Sequence, residues 1–259
     1  VKTGKTLGIF SLILLLMVLI VVVGARTRQE TEVVMDGGTA PAATATAPAT
    51  ATGVNAAVPV PSPTPTETLP EVDVGSWELA LVNKSHEVSG TPKVAEIGKT
   101  GAYFDARAVD ALNSLISACK AAGYSPHINL AYVPESAQEY YFNKKAAEIA
   151  DGAAITDEIA EKASRIVARP GQSEHQTGLA VDITDTFYLP YTSEQIDSDL
   201  LAWLVEHCAE YGFIQRYPAG KENITGWRES YHFRYVGVEA ATYIMDHELC
   251  LEEFLALYK

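Results

Sequence analysis

Apolar residues are distributed along this chain in three unlike ways. From Leu7 to Val23 they form one dense run, LGIFSLILLLMVLIVVV, with no charged residue inside it. Between Thr39 and Pro70 large apolar residues almost vanish, in a stretch that starts TAPAATATAPATATG and ends VPVPSPTPTETLP. From about Val72 to Lys259 they recur with the periods of secondary structure. The pattern therefore divides the chain into residues 1–25, 26–71 and 72–259.

The periods predict the elements of the third region. SWELALVN (76–83) reads as an opening strand. Val109, Leu112, Ile116 and Cys119 repeat at helical spacing, with Asp105 as N-cap and Gly123 as the stop. HINLAYV (127–133) alternates like a strand, and two helices follow at about 136–150 and 156–168. LAVDI (179–183) alternates again, placing Leu179, Val181 and Ile183 on one face and Ala180 and Asp182 on the other. SDLLAWLVEHCAEYG is a helix capped by Ser198 and ended by Gly212. GFIQRY and YHFRYVG read as strands, and LEEFLALY as a short amphipathic helix. Helices bunched early and strands in short pieces predict an α+β fold, a small antiparallel sheet with flanking helices.

The two leading regions carry different expectations. A bilayer core takes roughly 20 apolar residues, so 7–23 with Gly24 and Ala25 just spans. A cleaved signal peptide has a shorter apolar core, about 7–15 residues, and no clear small-x-small site precedes Arg26. Residues 1–25 are thus expected to be a transmembrane anchor. Lys2 and Lys5 are balanced by Arg26 and Arg28, so charge says little about orientation. The short leading segment places the bulk of the chain outside the cell, on a single-pass anchor. Residues 26–71 cannot bury enough surface to offset their ordering entropy, and are expected to be a disordered stalk. At ~3.1 Å per residue such a stalk reaches up to roughly 100 Å.

Charge narrows the partners. The net charge is −14, without the basic patch of a nucleic-acid binder, so no nucleic-acid partner is expected. Cys119, Cys208 and Cys250 show no CxxC spacing. Cys119 and Cys208 lie among apolar helix positions and read as buried small hydrophobes.

Candidate chemistry concentrates in two stretches. In SEHQTGLAVDI (173–183), His175 precedes a strand that carries Asp182 on its polar face, with Gly178 allowing the turn between them. In ESYHFRYVG (229–237), His232 and Arg234 share a strand face and Glu229 stands three residues before the histidine. Two histidines and a carboxylate leave one open position in a catalytic zinc site. A further carboxylate nearby is a general base for hydrolysis. On spacing alone the alternatives stay open: a lone histidine is more often structural, and Asp182 could cap or pair at the surface. His127, His207 and His247 read as structural or surface groups, and His86 has no assigned role.

These motifs resemble the SxHxxGxAxD and ExWHxRYVG elements of the VanY-like D-alanyl-D-alanine carboxypeptidases, zinc enzymes of the bacterial cell wall. LVNKSHEV (81–88), YGFIQRYPAGKENITGW (211–227) and LEEFL (251–255) are similar to other ordered pieces of that family. The resemblance implies Zn2+ held by His175, Asp182 and His232, with Glu229 as the base. It implies a D-Ala-D-Ala stem peptide of peptidoglycan as substrate. Ser173, Gln138 and Tyr132 then contact substrate. One departure stands out: the family arginine that helps stabilise developing negative charge is Val133 here, within LAYVPESAQ. Arg216 and Arg234 are candidate replacements, with sheet ion pairs as their alternative role. In place of an active D,D-carboxypeptidase, the loss allows a peptidase with a shifted stem-peptide bond, or an impaired wall-peptide binder.

Overall fold

A computed structural model describes residues 68–187 and 196–259. The expected anchor, and the expected stalk up to residue 67, lie outside the described residues. Among the described residues no helix is long and apolar enough to cross a membrane.

The folded unit is α+β. A hairpin of β1 (Val94–Glu96) and β2 (Tyr103–Asp105) opens it, then α1 (Val109–Ala121), β3 (His127–Leu130), α2 (Glu135–Ala150) and α3 (Asp157–Ala163). After a 3₁₀ turn at Glu174–Thr177 come β4 (Ala180–Thr184), α4 (Ser198–His207), β5 (Phe213–Tyr217), α5 (Glu222–Thr225) and β6 (Glu229–Tyr235). The chain closes with α6 (Val238–Asp246) and α7 (Leu251–Ala256). Strands β3, β4, β6 and β5 form one antiparallel sheet in that order.

The alternation of LAVDI determines how the sheet is used. Leu179, Val181 and Ile183 enter the main core with Leu112, Leu115 and Cys119 of α1 and Leu200 and Leu204 of α4. That core covers one face of β4. The opposite face carries Asp182, buried as well. A polar group held between covered faces needs a partner, and that face is where the chemistry lies. A second cluster joins Ile214 and Val236 to Ile244, Leu251 and Phe254, and so fastens α6 and α7 beside β5. Cys119 and Cys208 are free and buried, as expected of small hydrophobes, and Cys250 is free and buried as well.

The structure corrects several local expectations. Residues 76–83 form turns with one isolated bridge, Asn83 to His86, rather than a strand. Their apolar alternation instead docks Leu79 into the second core, while Trp77 stacks on Tyr235. Asp105 caps no helix: it ends β2, buried, and its carboxylate accepts from Arg107 Nε at 2.9 Å and Nη2 at 2.6 Å. Asp197, not Ser198, caps α4, accepting from the Asp199 and Leu200 amides. The helix expected to reach residue 168 stops at Ala163. Helix α6 and the β1–β2 hairpin were not foreseen.

Candidate metal centre

Three elements bring the central residues together. Asp182 of β4 and His232 of β6 are direct cross-strand partners, which places their side chains on one face of the sheet. His175 comes from the 3₁₀ turn just before β4. That turn ends at Gly178, whose φ is 71° and whose Cβ, if it had one, would lie 3.1 Å from the Asp105 amide nitrogen. Only glycine suits both the left-handed backbone and the close approach. The turn then delivers His175 over the polar end of β4.

The donor atoms converge. His232 Nδ1 lies 3.0 Å from Asp182 Oδ1, and His175 Nε2 lies 3.5 Å from the same oxygen. One donor atom from each of the three residues falls within 4.8 Å of the others, and all three residues are buried. Two imidazole nitrogens and a carboxylate oxygen are a zinc donor set. Zinc–ligand bonds of about 2.1 Å in a tetrahedron separate the donors by roughly 3.4 Å, close to the spacing here. Both ring nitrogens of His232 are buried without a well-formed hydrogen bond, and a cation at Nδ1 would satisfy one of them. The residues fit a metal ion.

The histidines are oriented by different means. His175 Nδ1 donates to the Ala131 carbonyl at 2.9 Å, leaving Nε2 directed at Asp182. Its own carbonyl accepts from the Val133 amide at 3.1 Å. The strand-to-helix connection after β3 is thus zipped onto the His175 turn.

Glu229 stands at the rim. In a regular strand, residues three apart point to opposite faces. Here β6 is irregular: the register runs from Gln215–Phe233 to Tyr217–Glu229, so two steps on β5 oppose four on β6. A bulge of this kind re-aims side chains. It brings Glu229 Oε2 to 3.6 Å from His232 Nδ1 with the side chain still 26% exposed. Glu229 is the cluster member that an incoming molecule can reach.

Electrostatics sort the acids. Burial would raise Asp182, but His175 and His232 hold it well below the ordinary aspartate value. Burial raises Glu229, opposed by His232 and assisted by the Asp182 charge, and its net shift is upward. Burial would lower His232, but Asp182 and Glu174 push it up to about 10.

The remaining expected contacts divide. Ser173 is buried two residues before His175, and Tyr132 is half-buried beside Ala131. Gln138 is buried in the first turns of α2, and its amide nitrogen donates to the Ala168 carbonyl at 2.7 Å. Arg216, expected at the substrate, is a correction. It has no exposed surface and is paired to Glu174 and Glu252 on the protein side of the centre. Arg234 is likewise buried against Glu174 and the carbonyls of Glu78 and Ala80. Both take their alternative role as internal ion pairs, so neither replaces the family arginine.

Two neighbours of the centre went unread in the sequence. Glu174 Oε2 lies 3.4 Å from His232 Nε2, and the Tyr217 ring packs 4.9 Å from the His232 ring. Two arginines within strands, Arg216 and Arg234, were the available signal for a buried carboxylate. The other histidines stay outside the cluster. His207 pairs with Glu210, His247 stacks on Tyr243, and His127 meets Phe187 edge-on.

A small antiparallel sheet that presents a histidine and an aspartate on one covered face, with a second histidine delivered by the turn before β4 and a glutamate at the rim, defines a class of α+β domain. The family model described as VanY, D-alanyl-D-alanine carboxypeptidase, matches residues 101–238, and the chain belongs to that family. A D-alanyl-D-alanine carboxypeptidase of Enterococcus faecalis (strain ATCC 700802 / V583) is 37% identical over 186 residues, covering 71% of this chain and 67% of the relative. The crystal structure of a mutant vancomycin-resistance D,D-pentapeptidase VanY in complex with Zn(II) superposes with a TM-score of 0.60 at 36% identity, covering 70% of this chain and 99% of that one. VanYB in complex with D-Alanine-D-Alanine gives 0.61 at 36% identity, covering 71% and 100%. The LdcB LD-carboxypeptidase gives 0.53 at 33% identity, covering 68% and 84%.

Proposed function

We propose that this chain is a zinc-dependent D,D-carboxypeptidase that removes the terminal D-alanine from D-Ala-D-Ala stem peptides of peptidoglycan. The observation that carries the reading is the convergence of His175 Nε2, Asp182 Oδ1 and His232 Nδ1 beside a rim carboxylate, Glu229. In this reading His175, Asp182 and His232 hold the ion. When bound, zinc supplies a Lewis acid for the scissile carbonyl and an acidified water.

The chain's own residues do the rest. Glu229, raised by burial, takes a proton from the attacking water and delivers it to the amine of the departing D-alanine. A carboxylate raised towards neutrality suits both transfers. Asp182, held low, keeps its charge at the centre throughout. In this reading Ser173, Tyr132 and Gln138 position the peptide end. The anchor at residues 7–23 and the stalk after it hold the domain outside the cell, at the wall. Fractionation should place the full chain with membranes, open to added protease on intact cells.

A second reading has its own support. The fold is shared with an LD-carboxypeptidase, and Val133 replaces the arginine expected near the scissile carbonyl. A different stem-peptide bond would then be cut. Mass spectrometry of pentapeptide and tetrapeptide stems incubated with the zinc-loaded protein separates the two. Loss of D-alanine from the pentapeptide alone supports the first reading, and loss from the tetrapeptide alone selects the second. Glu229→Gln should lower the rate by about 10²–10⁴-fold while zinc affinity stays near wild type. Zinc binding without turnover of either peptide, together with measurable peptide affinity, would make the domain a wall-peptide binder.

A further inference from the structure

Three charged side chains lie buried behind His232. Arg216 and Arg234 have no exposed surface, and Glu174 is 2% exposed. Ions this deep are costly unless paired and hydrogen-bonded. Glu174 Oε1 accepts from Arg216 Nε at 2.8 Å and from Arg234 Nη1 at 2.9 Å. Its other oxygen accepts no hydrogen bond of good geometry and faces His232 Nε2 at 3.4 Å. One oxygen is thus fixed by two cations, and the other is presented to the imidazole.

The cations are themselves fixed. Arg216 donates to both carboxylate oxygens of Glu252 on α7, at 2.9 and 2.7 Å. Arg234 Nη2 donates to the carbonyls of Glu78 and Ala80, at 3.0 and 2.8 Å. These outer anchors lie before and after residues 101–238, the span of the family model.

We propose that Glu174 is a positioning residue for His232. Its Oε2 accepts a hydrogen bond from Nε2–H and so leaves Nδ1 as the nitrogen offered to the metal, while Glu252, through Arg216, holds Glu174 in place. The inference rests on His232 being a metal ligand. A carboxylate on the second nitrogen of a ligating imidazole fixes its tautomer and orientation and raises its basicity. The two histidines then present opposite nitrogens. His175 donates its Nδ1–H to a backbone carbonyl and offers Nε2; His232 directs its Nε2–H at Glu174 and offers Nδ1. The opening segment and α7 become part of the support of the centre.

Glu174→Gln tests the proton. The amide oxygen must face the two arginines, because an amide N–H₂ cannot meet two guanidinium donors. The N–H₂ group then faces His232 Nε2, which has to accept, and the ring proton moves to Nδ1, the nitrogen the metal needs. Zinc affinity of the full chain, measured by competition with a chromophoric chelator, should fall by about 10–100-fold. The wild type should show an Nε2–H resonance from His232 in ¹⁵N–¹H NMR spectra with and without zinc, and the zinc-free variant should lack it. Glu252→Gln, at a partly exposed residue, should lower affinity in the same direction by less.

A purely structural role predicts a lower unfolding temperature for Glu174→Gln with unchanged zinc affinity of the folded protein, and that result overturns the inference. Should Glu174→Gln fail to fold, Glu252→Gln decides, and unchanged affinity there overturns it. A wild type that binds no zinc sinks the metal reading itself. That outcome is distinct from a wild type and a Glu174→Gln variant that bind equally well.

Discussion

At the scale of single residues, Val133 stands where the resemblance of LAYVPESAQ to the family's motif implies an arginine. The residue is 3% exposed, and its amide is bonded to the His175 carbonyl, so the backbone lies against the centre. Valine has no donor for an oxyanion. The two arginines that could have compensated are tied to Glu174 instead. Restoring the cation should therefore help. Val133→Arg is expected to raise kcat with the pentapeptide by on the order of 10²-fold, the usual value of one oxyanion donor. Replacing a buried valine by a longer side chain should also cost about 1–3 kcal/mol of stability. Steady-state kinetics beside urea unfolding separate the two effects. An unchanged kcat in a folded variant would mean that another group already supplies the donor.

At the scale of elements, the site depends on one turn and one strand pair. Gly178 links the His175 turn to β4 at positive φ, close against the Asp105 amide. Gly178→Ala should destabilise the fold by about 1–3 kcal/mol through the left-handed backbone alone, more if Asp105 cannot shift. Urea unfolding of the metal-free protein checks this, and a loss under half a kcal/mol would argue that the turn relaxes easily. How much could be read beforehand follows the same division. The α1 stripe, the alternation of β4 and the two motifs were legible because their signals are local. The 76–83 strand was misread because its apolar residues face a core while its backbone has no strand partner. Glu174 was missed because its partners, Arg216 and Arg234, are 42 and 60 residues away in sequence, and only the sheet brings them together. The pairing of Asp182 with His232 is a matter of register, which motif spacing can suggest but not fix.

At the scale of the whole molecule, the buried centre makes stability respond to pH in a way that metal should change. His232 is pushed up to about 10 by Asp182 and Glu174 against the effect of burial. A group raised on folding stabilises fully below its unfolded value, about 6.5 for histidine, and that stabilisation disappears as pH rises through about 10. Asp182 and Glu174 act with the opposite sign. Both are held low in the fold, by the two histidines and by the two arginines respectively, against burial. Their contribution is present above roughly pH 4 and is lost as acid protonates them. Glu229, raised by burial, partly offsets that acid limb. With chelator present, the urea midpoint should therefore fall steadily from about pH 6.5 to 10. With zinc present the alkaline fall should flatten, because a metal ion in place of the Nδ1 proton leaves His232 nothing to release over that range. Parallel urea titrations at several pH values, with chelator and with zinc, provide the comparison. Equal alkaline slopes would show that His232 does not carry this linkage, and would place the metal, if it binds, on other atoms.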